Sequence, residues 1–141
     1  MDRQSSNPPA ILPIRVYYED TDAGGVVYYA NYLKFFERGR TEWLRTLGVD
    51  QHALAAREHA IFVVRRADVA YHRPARLDDR IDIHTTVAGS GASTLLFAQE
   101  ARRDEELLTT ADIQVCAVHP ETFKPVRIPP SIRNLLEKAR N

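Results

Sequence analysis

Between Tyr32 and Leu47 the apolar residues Tyr32, Phe35, Phe36, Gly39, Trp43 and Leu47 recur at spacings of three and four, while Lys34, Arg38, Glu42 and Arg45 fall largely on the other side. That period predicts one amphipathic helix of about four turns. Asn31 is placed to cap its start through the side-chain oxygen, and Gly48 to end it in a left-handed conformation. A helix with one apolar stripe must bury it against another layer, and the rest of the chain supplies that layer. Apolar and polar residues alternate at 14–18, 61–72, 80–87, 94–102 and 107–118, which predicts five strands. In the second of these, Ile61, Val63, Ala67, Val69 and Tyr71 are read as one face, interrupted by Arg65. The connections PARLDD, GSGAS and RDEE are short and rich in turn residues, which favours antiparallel neighbours. Residues 50–60 fit a short helix or a loop, and residues 131–140 a short surface helix capped by Ser131. The order of strand, long helix and four strands predicts an α+β architecture, with the antiparallel sheet against the helix.

The 141 residues suit one domain, expected over residues 11–141. Ser5, Ser6, Asn7, Pro8 and Pro9 cannot sustain a helix, so residues 1–10 are expected to form a frayed, disordered arm. Lys plus Arg number 19 and so do Asp plus Glu, giving zero net charge and no global basic excess for binding nucleic acid. The single Cys116 cannot form an internal disulfide and is read as a small buried residue. His52, His59, His72, His84 and His119 lack metal-ligand spacing, and His84 is expected to be exposed. No metal or cofactor is expected. No stretch approaches the roughly 18 apolar residues of a membrane span, and the opening segment lacks a signal-peptide core, which predicts a cytoplasmic protein.

The chemistry concentrates in residues 17–32, YYEDTDAGGVVYYANY. Glu19, Asp20 and Asp22 precede two glycines and an aromatic run that leads to the helix start, where free N–H groups gather partial positive charge. Such N–H groups can polarise a carbonyl oxygen, so carboxylate and oxyanion donors could meet at one substrate atom. Asp20 and Asp22 equally suit an ordinary turn, and Asp20 is read as orienting the loop. Tyr28, Tyr29 and Tyr32 fit either a pocket wall or the core, whereas Phe36 and Trp43 belong to the core.

The segment EDTDAGGVVYYANYLKFFERGRTEWL resembles the active-site segment of hotdog-fold proteins of the 4-hydroxybenzoyl-CoA thioesterase type. It is especially similar to the tol-pal system-associated acyl-CoA thioesterases. Asp20, Asp22, Gly25, Val27 and Tyr32 meet the pattern D-x-D-x-x-G-x-V-x-x-x-x-Y, and VAYHRPARLDD, beginning at Val69, also resembles that subgroup. The resemblance implies a hotdog fold, a sheet of about five strands wrapped around one long central helix, and pairing of protomers into a homodimer or homotetramer with active sites at the subunit interface. It further implies that Asp22 acts as nucleophile, through a mixed anhydride, or as the general base for water. The main-chain N–H of Tyr29 matches the oxyanion donor. Gly25, Val27, Tyr28, Asn31 and Tyr32 would surround substrate, and Glu37 would line the acyl pocket or assist. A thiolate leaves readily near neutral pH, so one carboxylate and oxyanion donors can suffice.

The implied substrate is a short- or medium-chain acyl-CoA, or an acyl carrier protein thioester. The alternative is a non-catalytic scaffold for acyl carrier protein or phospholipid-synthesis partners. A hotdog dehydratase would need a histidine in the active-site segment, and residues 19–49 contain none. Two departures stand out: Tyr29 occupies a position that is often histidine in the subgroup, and residues 88–94 carry no charge where relatives place a phosphate-binding cation. Arg65, Arg66, Arg73, Arg76, Arg102, Arg103 and Arg127 remain available for phosphates.

Overall fold

The apolar stripe of residues 31–47 does form a helix, and a five-stranded sheet receives it. The computed structural model describes residues 10–140, so the expected arm lies outside the described residues except for Ala10. The elements are β1 (Ala10–Arg15), α1 (Asn31–Thr46), α2 (Gln51–Glu58), β2 (Ile61–Tyr71), β3 (Arg80–Ser90), β4 (Thr94–Arg103), β5 (Glu106–Val118) and α3 (Pro130–Arg140). All strand pairs are antiparallel, in the order β1-β3-β4-β5-β2. This is the hotdog arrangement: α1 is the long helix that packs on the sheet, against β1 and β3, and among the described residues the shorter α2 and α3 accompany it, α2 touching β2.

α1 lies close on the sheet because Gly39 has no side chain. A Cβ there would stand 2.8 Å from Ile83 Cγ2, 2.8 Å from Thr85 Oγ1 and 3.0 Å from Gln99 Nε2. A buried polar network fixes the same contact: Arg40 Nη1 donates to Gln99 Oε1 at 3.0 Å, and Gln99 Nε2 donates to the Phe36 carbonyl at 2.9 Å and to Thr85 Oγ1 at 2.8 Å. Buried polar groups paired in this way cost little and specify one docking register. Burial lowers the pKa of the Arg40 guanidinium, with the charge of Glu37 opposing. The periodicity of α1 did not reveal the burial of Arg40. Tyr32, Phe35, Phe36, Gly39 and Trp43 of its stripe are buried, but at the last turn Leu44 is buried and Leu47 only half-buried. Gly48 ends the helix at φ 86°, donating to the Arg45 carbonyl while Val49 donates to that of Leu44.

Several local expectations need correction. β1 occupies Ala10–Arg15 and not residues 14–18, because residues 18–20 turn into a single 3-10 turn. Pro13 is tolerated since β1 is a sheet edge. Asn31 is the first residue of α1 and makes no capping bond; Ala30 precedes it in helical conformation. In β2 the pairing register shifts between Val64 and Arg66, so Arg65 is the extra residue of a bulge. The inward set is therefore Phe62 and Val64 before the bulge, opposite Ala117 and Val115, and Ala67, Val69 and Tyr71 after it. Ser131 does not cap α3, since its hydroxyl donates to the carboxylate of Glu58.

β3 keeps the expected alternation, with Ile81, Ile83, Thr85 and Val87 buried; in β5 Thr109, Ala111, Ile113, Val115 and Ala117 are buried as expected, but Leu108, Cys116 and Val118 of the opposite parity are buried too. His84 is half-buried rather than exposed. Residues 51–58 resolve as a helix, α2, because Asp50 caps it by accepting from the N–H groups of His52 and Ala53. Cys116 is buried. No helix among the described residues is long and apolar enough to cross a membrane.

Candidate active site

The acidic loop between β1 and α1 is a tight hairpin. Asp22 N–H donates to the Val26 carbonyl at 2.9 Å, Gly25 N–H donates to the Asp22 carbonyl at 3.0 Å, and Thr21 bridges Val27. Gly25 sits at φ 82°, a conformation that suits glycine. One oxygen of the exposed Asp22 carboxylate, Oδ1, accepts from Gly24 N–H at 2.8 Å. Oδ2 has no hydrogen bond among the described residues. The loop therefore aims the carboxylate through one oxygen and leaves the other open.

Asp20 does different work, two residues away. It is 8% exposed. Its Oδ2 accepts from Tyr17 N–H and its Oδ1 from Asn31 Nδ2, both at 2.8 Å, while its carbonyl accepts from Tyr28 N–H at 3.0 Å. Both carboxylate oxygens are thus committed, Oδ2 to closing the turn on Tyr17 and Oδ1 to fastening the loop to the first residue of α1. Asn31, which precedes that turn's buried face, serves as a tie and not a cap.

At the helix start, the N–H groups of Asn31, Tyr32 and Leu33 turn back to the carbonyls of Tyr28, Tyr29 and Ala30. Among the described residues the N–H groups of Tyr29 and Ala30 make no hydrogen bond, so two adjacent donors remain open at the positive end of α1. Tyr71, at the end of β2, donates its hydroxyl to the Tyr29 carbonyl at 3.0 Å and sets its ring edge-on to that of Tyr29 at 5.9 Å. Burial raises the Tyr71 pKa, and Tyr29 adds to the effect. Neither Tyr71 nor the Ala30 N–H was picked out from the sequence. In VAYHRPARLDD no local pattern shows which backbone atom a strand tyrosine will reach.

Tyr28 and Tyr29 are exposed and lie together, ring centroids 4.8 Å apart. The Tyr28 pKa is raised, first by the Tyr29 hydroxyl and last by the charge of Asp22. Tyr32 is core: it is buried, its hydroxyl has no hydrogen-bond partner among the described residues, and burial raises its pKa. Val27 is buried too, with its N–H bonded to the Ala75 carbonyl at 2.8 Å. Glu37 lies six positions beyond Asn31, about 9 Å along α1. Its carboxylate accepts from Thr41 Oγ1 at 2.9 Å. It borders a cavity of about 120 Å³ whose walls include Phe62, Val64, Leu95, Phe97 and Val115. A larger concavity, about 530 Å³, lies at the far end of α1 between Thr41 and His52, and its Asp50 is occupied in capping α2.

The segment after β2 closes the other side of the loop. Arg76 bridges Val26, next to the Val27 bond with Ala75. An ion-pair cluster holds this segment: Arg103 Nη1 reaches Asp79 Oδ2 at 2.7 Å and the Pro74 carbonyl at 3.2 Å, Arg103 Nη2 reaches Glu106 at 2.6 Å, and Arg73 reaches Glu106 at 3.0 Å. Glu106 is held below its ordinary pKa, chiefly by Arg103. For Asp79, burial acts upward, but the Arg76 N–H and the Arg103 guanidinium outweigh it and lower the pKa.

A carboxylate with one open oxygen, in a loop that runs on to two open N–H donors at a helix start, is of the kind that can attack or hydrate a carbonyl carbon and hold the resulting oxyanion. The comparisons with known proteins agree in kind. The model of the Thioesterase-like superfamily matches residues 16–136. The acyl-CoA thioester hydrolase YbgC of Escherichia coli O6:H1 is 48% identical over 121 residues, covering 85% of this chain and 90% of the relative. The acyl-CoA thioesterase YbgC of Haemophilus influenzae is 45% identical over 122 residues, covering 86% of this chain and 90% of the relative. Among solved structures, a probable thioesterase from Bartonella henselae superposes with a TM-score of 0.82 at 37% identity, covering 86% of this chain and 99% of that one. With the family match and these relatives extending over most of its length, the chain belongs to the thioesterase-like superfamily.

Proposed function

We propose that this protein is an acyl-CoA thioesterase in which Asp22 performs the attack on the thioester. The observation that carries the reading is the Asp22 carboxylate, fixed at Oδ1 and open at Oδ2, in a hairpin that ends at the unbonded N–H of Tyr29. The acyl carbonyl oxygen lies against the Tyr29 and Ala30 N–H groups, which take up negative charge as the tetrahedral centre forms. Asp22 Oδ2 either adds to the carbonyl carbon, giving a mixed anhydride that water hydrolyses, or removes a proton from an attacking water. In both routes the C–S bond breaks and coenzyme A leaves as thiolate, protonated from solvent. The YbgC relatives, named as acyl-CoA thioester hydrolases, support the substrate class.

The acyl group is short or medium, in keeping with the cavity of about 120 Å³ beside Glu37. Gly25 and Val27 shape the loop under the thioester, and Tyr28 flanks it. Asn31 and Tyr32 act from below, one as a tie and one as packing. The working unit is a homodimer or larger homo-oligomer. β2 is an edge of 11 residues without proline, and the inward-facing Val64 is 52% exposed in the single chain. Long exposed edges of this sort pair with another strand. The cytoplasmic location expected from the sequence goes with this reading.

The test is a panel of acyl-CoAs of increasing chain length, with free thiol titrated over time. Release that peaks at short or medium chains is expected. No release at any length, together with tight binding of acyl carrier protein, would replace the enzyme by a scaffold.

A further inference from the structure

The carrier half of an acyl-CoA is strongly anionic, and the 88–94 turn offers no cation to meet it. The structure shows how most of the remaining arginines are engaged. Arg66 pairs with Asp68, Arg73 and Arg103 with Glu106, and Arg102 with Glu100. These guanidiniums are satisfied by carboxylates. Among the described residues Arg65, Arg76 and Arg127 have no carboxylate within ion-pairing distance. Arg76 is set apart from the other two by its backbone, which bridges Val26, four positions beyond Asp22.

The turn around Arg76 explains the open side chain. Asp79 is its nearest natural counter-ion, and Asp79 Oδ2 is already taken by the Arg76 backbone N–H at 2.8 Å and by Arg103 at 2.7 Å. Asp79 N–H returns to the Arg76 carbonyl at 3.1 Å, closing the turn. The backbone of Arg76 is therefore pinned while its head group is exposed to solvent. The Arg76 charge acts on Asp79 only as the smallest of the influences that lower its pKa, and an exposed charge of this kind contributes little to stability. It does supply a positioned fork for a phosphate oxygen.

Resting on the thioesterase reading, we propose that Arg76 is the specificity residue for the carrier, binding a phosphate of the pantetheine-bearing arm while the thioester lies at Asp22. Either coenzyme A or the phosphodiester of acyl carrier protein presents that phosphate, and the chemistry of recognition is the same.

The experiment measures binding separately from turnover. Affinities for coenzyme A, 4′-phosphopantetheine, phosphate-free pantetheine and acyl carrier protein are determined by calorimetry on the full chain and on Arg76→Gln, whose urea midpoint is checked for an intact fold. The wild type should bind the phosphorylated ligands more tightly than pantetheine. Arg76→Gln should weaken them about tenfold and leave pantetheine unchanged, as expected for one charge-assisted contact. A loss confined to coenzyme A assigns its nucleotide phosphates, and one shared by phosphopantetheine and carrier protein assigns the phosphate next to pantetheine. Unchanged affinities in Arg76→Gln, or an equal loss for pantetheine, would overturn the proposal. The thioesterase reading fails by a different sign, the absence of thiol release by the wild type.

Discussion

Replacing Asp20 separates the two acidic residues of the loop. Its carboxylate lies between two donors, Tyr17 N–H on Oδ2 and Asn31 Nδ2 on Oδ1, each at 2.8 Å. Asp20→Ala strands both. A charge-assisted bond is worth about 1.5–3 kcal/mol and a stranded buried donor costs about 1–3 kcal/mol. Tyr17 is exposed and Asn31 half-buried, so water recovers part of each loss. A net cost of about 2–3 kcal/mol follows, or a drop in Tm of about 5–10 °C. Asp20→Asn is milder. Its oxygen still accepts from Tyr17, and Asn31 can rotate its amide to accept from the new NH₂, so both bonds persist without the charge and the cost is about 1 kcal/mol. Asn31→Asp sets two carboxylates face to face and should be worse than Asp20→Asn, and the exchange Asp20→Asn with Asn31→Asp should recover most of that loss. Urea midpoints order the variants, and thiol release is followed in parallel. The reasoning is refuted if Asp20→Asn is as unstable as Asp20→Ala, or if it loses turnover with its stability intact, because Asp20 would then be doing the chemistry.

Tyr71→Phe removes the hydroxyl that holds the Tyr29 carbonyl and keeps the ring. It should lower kcat about fivefold to tenfold with little change in KM, as one net hydrogen bond positioning the oxyanion donor implies; a raised KM at unchanged kcat would contradict the positioning role. Arg103→Met should reveal an acid-dependent share of stability. Asp79 and Glu106 have lowered native pKa values, so their contribution is complete above the unfolded values near about 4 and is lost as pH falls through the native ones. The gap in urea midpoint between wild type and Arg103→Met should be constant from about pH 7 to 5 and narrow below about pH 4. A gap that stays constant into acid would mean that the cluster does not stabilise the segment through charge.

The elements that were legible in advance were those with long, uninterrupted periods. α1, and β3 from Ile81 to Val87, each keep one inner face, so a spacing of three and four, or of two, fixed both their type and that face; the register of β3 shifts only past Val87. β2 was legible as a strand but not in its face, because the bulge at Arg65 changes the parity midway and a bulge has no fixed residue signature. β1 was displaced because Val16 to Tyr18 continue the alternation while Asp20 draws the chain into a turn, and that pull depends on a hydrogen bond to Tyr17 rather than on composition. In the site, residue types and spacing singled out Asp20 and Asp22, but not the division between them. That division depends on Asn31, eleven positions away, and on the open N–H groups at the start of α1. Arg76 was one of several available arginines until the bridge to Val26 placed it. Arg40 and Gln99 went unnoticed because polar residues are ordinarily solvated, and their mutual satisfaction appears only when α1 meets β4.

The central claim is that the open oxygen of Asp22 performs the chemistry, and Asp22→Asn tests it most directly. The amide oxygen of the variant can still accept from Gly24 N–H, so the hairpin should keep its shape and the urea midpoint should stay within about 1 kcal/mol of wild type. Thiol release from the best acyl-CoA should fall at least about a hundredfold. Wild-type turnover in a correctly folded Asp22→Asn would contradict the account.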